Sequence, residues 1–305
     1  MAYRGFGDTT IGRRLADTYP GGPLRMATST AIRNELNLSS RDHAVATGGH
    51  GSAAPVLDGR NAAAARLARI TGCVHPARTF LVGIVLAYTT VAGLSILLGL
   101  LVTRVLIANG TIAGDDGSFV RVLAHHRSGD LTEASLIGSM IAGGVVLPIL
   151  AGAFGLVAAL FRQWRLAAFL ICALVIESAS YRTTTLLIHR HRPNVVRLEN
   201  LSVNASYPSG HTAASIAVYG GLALLVTSRI ANRWARVAIW GVAAAIPIYV
   251  ALSRMYRGMH HPLDVVGGAA VGVATLAAVV VICRATGYAV ATRDRRRHPH
   301  LERAA

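Results

Sequence analysis

Six apolar stretches of roughly bilayer length constrain this chain more than any other feature. They run 80–102, 134–161, 166–188, 212–230, 237–252 and 263–283. About 20 helical residues cover the ~30 Å of a hydrocarbon core. Backbone polar groups at that depth must be satisfied within the segment, which favours helices. The sequence therefore predicts an all-α, polytopic membrane protein with six transmembrane helices. The second stretch is the longest and contains Pro148, so tilt or a kink at that proline is expected. Between the first and second stretches, 119–126 is expected to lie along the membrane interface as an external amphipathic helix.

Charge then orients the stretches. The chain carries 30 basic residues, all of them arginine, and a formal net charge of +16. A soluble nucleic-acid binder can be this basic, but it would not carry repeated apolar runs of bilayer length, so no nucleic-acid partner is expected. Arg60, Arg66, Arg69 and Arg78 precede the first stretch. Arg162 and Arg165 fall between the second and third, Arg229, Arg233 and Arg236 between the fourth and fifth, and Arg293, Arg295, Arg296 and Arg297 after the sixth. All fall on one side, which the positive-inside rule makes cytoplasmic. Both termini are then cytoplasmic, and the loops 188–211 and 254–262 face outward from the cell membrane.

Residues 1–77 are rich in Gly, Ala, Ser, Thr and Arg without a strong period, and read as a disordered cytoplasmic extension. A short helix is expected near 61–70, where Ala62–Leu67 favours one. No apolar h-region lies near Met1, so no cleavable signal peptide is expected. Residues 78–284 form the membrane domain, and 285–305 a basic cytoplasmic tail. Cys73, Cys172 and Cys283 are too few and too scattered for a disulfide framework or a zinc site.

The two external loops hold most of the chemistry. The first contains Arg192-Pro193 and then Pro208-Ser209-Gly210-His211; the second contains Ser253-Arg254, His260 and Asp264. Arg192 and Arg254 are guanidinium forks suited to phosphate oxygens. Ser209 and Gly210 stand just before a helix, where free N–H groups favour an anion. His260 and Asp264 are four apart at a helix start, so one face holds an imidazole and a carboxylate that can orient it. His211 is a second imidazole, available for proton transfer.

Arg192-Pro193, Pro208 to His211, and Ser253-Arg254 with His260 and Asp264 together resemble the three-part signature of the type 2 phosphatidic acid phosphatase, or lipid phosphate phosphatase, superfamily. The resemblance covers about 166–283. It implies a membrane enzyme acting on a lipid phosphate or diphosphate, such as undecaprenyl diphosphate or phosphatidate, without a cofactor or metal. It also implies roles. His260 attacks phosphorus and becomes a phosphohistidine, Asp264 holds its tautomer, and His211 protonates the leaving oxygen. Arg192, Ser209, Gly210 and Arg254 hold the phosphoryl oxygens. The family's first motif opens on a lysine seven residues before the Arg-Pro pair, and here that position is Thr185. Arg182 or Arg190 is expected to replace its charge. Arg182 is favoured because its burial in an apolar stretch otherwise lacks a reason.

Other readings account for parts of the pattern. A transporter would explain six spans and the intramembrane Glu177, but not phosphate-binding loops gathered on one face. A catalytically weak lipid-phosphate binder would explain Thr185. His189, His191 and His261 enrich the external surface in imidazole but show no firm ligand spacing.

Overall fold

The computed structural model describes residues 55–57, 62–71, 75–108, 110, 113–200 and 205–297; within these, the side chains of Pro55, Ala113 and 294–297 are left aside. The expected disorder over 1–77 therefore lies largely outside the described residues, as does the end of the tail.

Every regular element among the described residues is helical. Helix α1 (Ala62–Ile70) coincides with the short helix expected there. Helix α2 (Pro76–Leu100) starts with proline in its first turn, where no N–H is needed, and runs on through a π-helical turn at Leu101–Leu106. Helix α3 (Ala113–His125) fills the loop expected to hold an amphipathic helix. Helices α4 (Gly129–Ile141) and α5 (Val146–Leu160) follow. Then come α6 (Trp164–Leu187) and α7, which is α-helical at Gly210–Ser215 and Gly221–Thr227 with a π-helical stretch at Ile216–Gly220 between. Helix α8 (Arg233–Tyr256) is capped by Asn232, whose side chain accepts from the N–H groups of Trp234 and Ala235. Helix α9 (Pro262–Arg297) is the longest.

Five of these are long and apolar enough to cross a bilayer, and six segments are if α4 and α5 count as one bent span. The chain is a membrane protein. The second stretch departs from expectation. It bends by 41° between α4 and α5, at 142–145 rather than at Pro148. Pro148 sits in the first turn of α5, where its missing N–H breaks no helical bond. The consecutive Gly143 and Gly144 supply the break instead. The fifth stretch is longer than its apolar core suggested, because α8 extends at both ends through polar residues.

Helix α9 is central and packs against α1, α2, α6 and α7; α6 packs on α2 and α5, and α8 on α4 and α7. The main core gathers Val91, Phe169, Leu170, Ile176, Val271, Val279 and Ile282. Leu81, Leu97, Ile149, Leu156, Val237 and Val242 point outward instead, as lipid-facing surface does when the solvent is hydrocarbon. Close approach decides one contact near the site. A β-carbon at Gly268 of α9 would collide with the carbonyl of Ser209, so glycine there lets the loop before α7 lie directly on α9.

Candidate active site

The segments 188–200 and 205–209 meet 257–261 and the start of α9. Gly258, with φ +74°, turns the second loop so that His260 faces inward. Its backbone lies in the left-handed region that side chains resist.

His260 is almost wholly buried. Its Nδ1 lies 2.7 Å from the carbonyl oxygen of Ser206. A carbonyl only accepts, so Nδ1 carries the proton and Nε2 keeps its lone pair. Burial, which outweighs the opposing Asp264 carboxylate and is joined by Arg254 and Arg192, pushes His260 down to about 3. The imidazole is therefore neutral near pH 7. Asp264 does not bond to this ring directly, since its Oδ2 is 3.9 Å from Nδ1. That oxygen instead accepts from the Ser206 hydroxyl and from the His261 N–H at 2.8 Å. Asp264 thus acts on His260 through Ser206, whose hydroxyl it holds and whose carbonyl fixes the tautomer.

Arg254 has no exposure to solvent. Its Nη1 donates to Glu199 at 2.6 Å and to Ser139 Oγ. Its Nε and Nη2 are buried and have no hydrogen-bond partner among the described residues. Buried unsatisfied donors on a cation are costly, and a phosphate oxygen would relieve that cost. Glu199 also binds Arg257, which is held in turn by Ser135 and the carbonyls of Thr132 and Leu198. Burial opposes ionisation of Glu199, but Arg254, with hydrogen bonds from Arg254, Ser139 and Arg257, brings its carboxyl down to about 2. Arg192 donates from Nη1 to the Met259 carbonyl at 2.5 Å, beside His260. Burial lowers the pKa of Arg192 from its ordinary value.

A cavity of about 260 Å³ opens beside these groups. His260, His211, Gly210 and Tyr181 line it together with the apolar Leu147, Pro148, Leu174 and Ala214. The glycine break between α4 and α5 forms another part of its wall. An anionic head beside imidazoles and an apolar body between α5 and α6 would fit its lining.

The expected residues separate into two groups. His260, His211 and Gly210 share the cavity, and coulombic contact with Arg254 and Arg192 reaches both imidazoles. Ser209 is buried, its hydroxyl paired with Thr212 and its N–H with the Asp264 carbonyl, so it serves the loop's shape. The replacements expected for the lysine are placed differently. Thr185 is buried, and its hydroxyl donates to the Arg182 carbonyl of its own helix. The Arg182 side chain is exposed, so the burial expected of it is not found. Arg190 is buried, but it forms ion pairs with Asp116 and Asp264. Among the described residues no group of three or more His, Cys, Asp and Glu could hold a metal ion. His189 and His191 are exposed.

Sequence reasoning missed Ser206, Glu199, Tyr181 and Asp116. Glu199 left a usable signal: it is the sole carboxylate between Arg182 and Asp264, in a loop crowded with arginine. The others carried none.

Residues 162–287 match the family model described as the PAP2 superfamily. This segment belongs to the PAP2 superfamily. It contains α6 to α8 and most of α9, and therefore every motif residue named above. An undecaprenyl-diphosphatase from Sulfolobus acidocaldarius is 39% identical over 71 residues, which is 23% of this chain. The match spans 30% of that relative's length. The PAP2-type phosphatidylglycerolphosphate phosphatase of Bacillus subtilis superposes with a TM-score of 0.53 at 22% identity, covering 65% of this chain and 92% of that one. This likeness shows a shared PAP2 fold. Aquifex aeolicus LpxE aligns over 53% of this chain and 92% of its own, with a TM-score of 0.43 and 23% identity.

Proposed function

We propose that the protein is a lipid phosphate phosphatase of the cell membrane, acting through a phosphohistidine on the extracytoplasmic face. The observation that carries the reading is the buried Arg254 fork. Two of its donor nitrogens are buried without a partner among the described residues, and its charge lies within reach of two imidazoles that line a largely apolar cavity. A soluble phosphate ester would have no use for that apolar lining, whereas a lipid phosphate suits both the imidazoles and the apolar wall.

The reaction follows from the tautomer. His260 Nε2 donates its lone pair to phosphorus as the bond to the lipid-side oxygen breaks. His211 gives that oxygen a proton. Arg254 and Arg192 stabilise the equatorial oxygens as charge shifts onto them. Water then attacks the phosphohistidine, His211 takes the water's proton, and phosphate leaves with Nε2 restored. Ser206, held by Asp264, keeps Nδ1 protonated throughout and accommodates the positive charge that develops on the ring.

The substrate is proposed to be a prenyl diphosphate or a phosphatidate-type monophosphate. The undecaprenyl-diphosphatase similarity supports the first. The expected arginine orientation supports an external site, where a carrier lipid would be dephosphorylated after use. The lack of a cation at Thr185 favours a second reading, a lipid-phosphate binder with weak turnover. Purified protein in mixed micelles should release phosphate from at least one member of a panel of undecaprenyl diphosphate, phosphatidate and phosphatidylglycerophosphate. His260→Ala should abolish that release while the protein still inserts. Undiminished release by His260→Ala would reject the phosphohistidine route. Binding without release by the wild type would establish the second reading.

A further inference from the structure

Helix α3 lies in the loop between the first two spans, outside the PAP2 segment, yet one of its side chains reaches the arginine that is ion-paired with Asp264. Asp116 is 4% exposed. One of its oxygens accepts from Arg190, and the other accepts the N–H of Leu263 at 3.0 Å. The second arm of Arg190 donates to Asp264 Oδ1. The other oxygen of Asp264 accepts from the Ser206 hydroxyl, and the Ser206 carbonyl accepts from His260 Nδ1. The Ser206 N–H donates back to the Arg190 carbonyl at 2.8 Å, so the chain of contacts closes on itself.

We propose that Asp116 is a positioning residue for His260, acting through Arg190, Asp264 and Ser206. The proposal rests on the phosphatase reading above. The reasoning is geometric. Asp264 lies too far from His260 Nδ1 for a direct hydrogen bond, so the ring's orientation depends on where Ser206 stands. Ser206 depends on Asp264 and on the Arg190 backbone, and Arg190 is held between two carboxylates. Asp116 holds the arm of that guanidinium not bound to Asp264. It also anchors the first turn of α9, the turn that carries Asp264. Without its charge, Arg190 would rest on Asp264 alone and could pull that carboxylate off Ser206. The same geometry explains why Arg190 does not replace the missing lysine: both of its arms are already engaged.

The test uses the full chain, purified in detergent, with Asp116→Asn and Asp116→Glu. Asparagine keeps the size and can still accept from Leu263, but it carries no charge for Arg190. Orthovanadate binding counts intact sites, and thermal unfolding reports the fold. Asp116→Asn should bind vanadate at wild-type stoichiometry and unfold within a few degrees of wild type. Its kcat per vanadate site should fall about 10- to 100-fold, the loss of one charge-assisted contact, with KM within about twofold. Asp116→Glu should recover part of the lost kcat. Wild-type kcat per site in Asp116→Asn would overturn the proposal, as would a loss that only follows lost sites or a lowered unfolding temperature. If the wild type itself releases no phosphate from any lipid phosphate, the phosphatase reading fails and this proposal with it. An active wild type beside a fully active Asp116→Asn sinks the positioning role alone.

Discussion

Replacing Arg254 tests the proposed phosphate clamp most directly, because only one of its nitrogens has protein partners among the described residues. Nη1 is committed to Glu199 and Ser139, while Nε and Nη2 are buried without a partner and, on the proposed reading, hold the substrate. Two charge-assisted N–H bonds are worth about 1.5–3 kcal/mol each. Their loss in Arg254→Gln should cost about 3–6 kcal/mol of transition-state stabilisation, or about 10²–10⁴-fold in kcat/KM at 1.36 kcal/mol per tenfold. Arg254→Lys keeps a charge but not the fork, so it should fall between wild type and glutamine. The fold should survive, because Glu199 retains Arg257; a penalty of about 1–3 kcal/mol is expected for the weakened pair. Phosphate release from mixed micelles gives kcat/KM, vanadate binding gives clamp affinity, and thermal unfolding separates the two effects. Wild-type kcat/KM in Arg254→Lys would refute the bidentate role. A glutamine variant that loses activity only in proportion to unfolded protein would refute the clamp altogether.

Glu199 should confer an acid-sensitive component of stability. Its folded carboxyl is held near 2 against an ordinary value of about 4.5, so the contribution is full above about pH 4.5 and is lost as pH falls toward 2. Thermal unfolding of Glu199→Gln between pH 2 and 7 should show a flatter profile over that window, and an unchanged slope would remove the ion pair from the account. Thr185→Lys should tighten vanadate binding by about tenfold, because one charge-assisted contact is added; no change would mean that the side chain cannot reach the clamp from this turn. A cysteine at the exposed Asn194 should react in intact cells with a membrane-impermeant thiol reagent, while one at Gln163 should not; the reverse pattern would place the site on the cytoplasmic face.

The spans were legible because apolar length is a local property. Each is written in consecutive residues, and the helices found begin and end within about five residues of the apolar runs, except that α9 runs on past 283 to Arg297. The bend in the second span was misplaced because proline was weighed by identity rather than by position. Three residues into a helix Pro148 breaks no bond, whereas Gly143-Gly144 just before it end one helix and admit another. His260, His211 and Arg254 could be singled out because residue type and spacing alone suggested phosphate chemistry. Arg182 and Arg190 could not be placed in the same way. Both are arginines on the approach to Arg192, but one ends exposed and the other between two carboxylates, one of them Asp116, 74 residues earlier in the chain. No periodicity encodes that pairing. Ser206 was hidden for a different reason, since its backbone carbonyl does the work and any residue supplies a carbonyl.

The charges around the cavity explain why these contacts matter together. Arg190, Arg254 and Arg257 are ion-paired with Asp116, Asp264 and Glu199, while Arg192 donates to the Met259 carbonyl. The three carboxylates offset most of the charge of these four arginines, and a lysine at Thr185 would have added to it. On the proposed reading, catalysis then depends on orientation as well as on attraction. Fixed donors in a dry site stabilise a developing charge without having to reorganise. Three of the four arginines are held by carboxylates: Arg257 and Arg254 share Glu199, and Arg190 lies between Asp116 and Asp264. Such a site should respond more to the loss of a carboxylate that holds an arginine in place than simple attraction for phosphate would suggest. Removing Asp116 or Glu199 makes the site more positive, yet on this reasoning turnover falls.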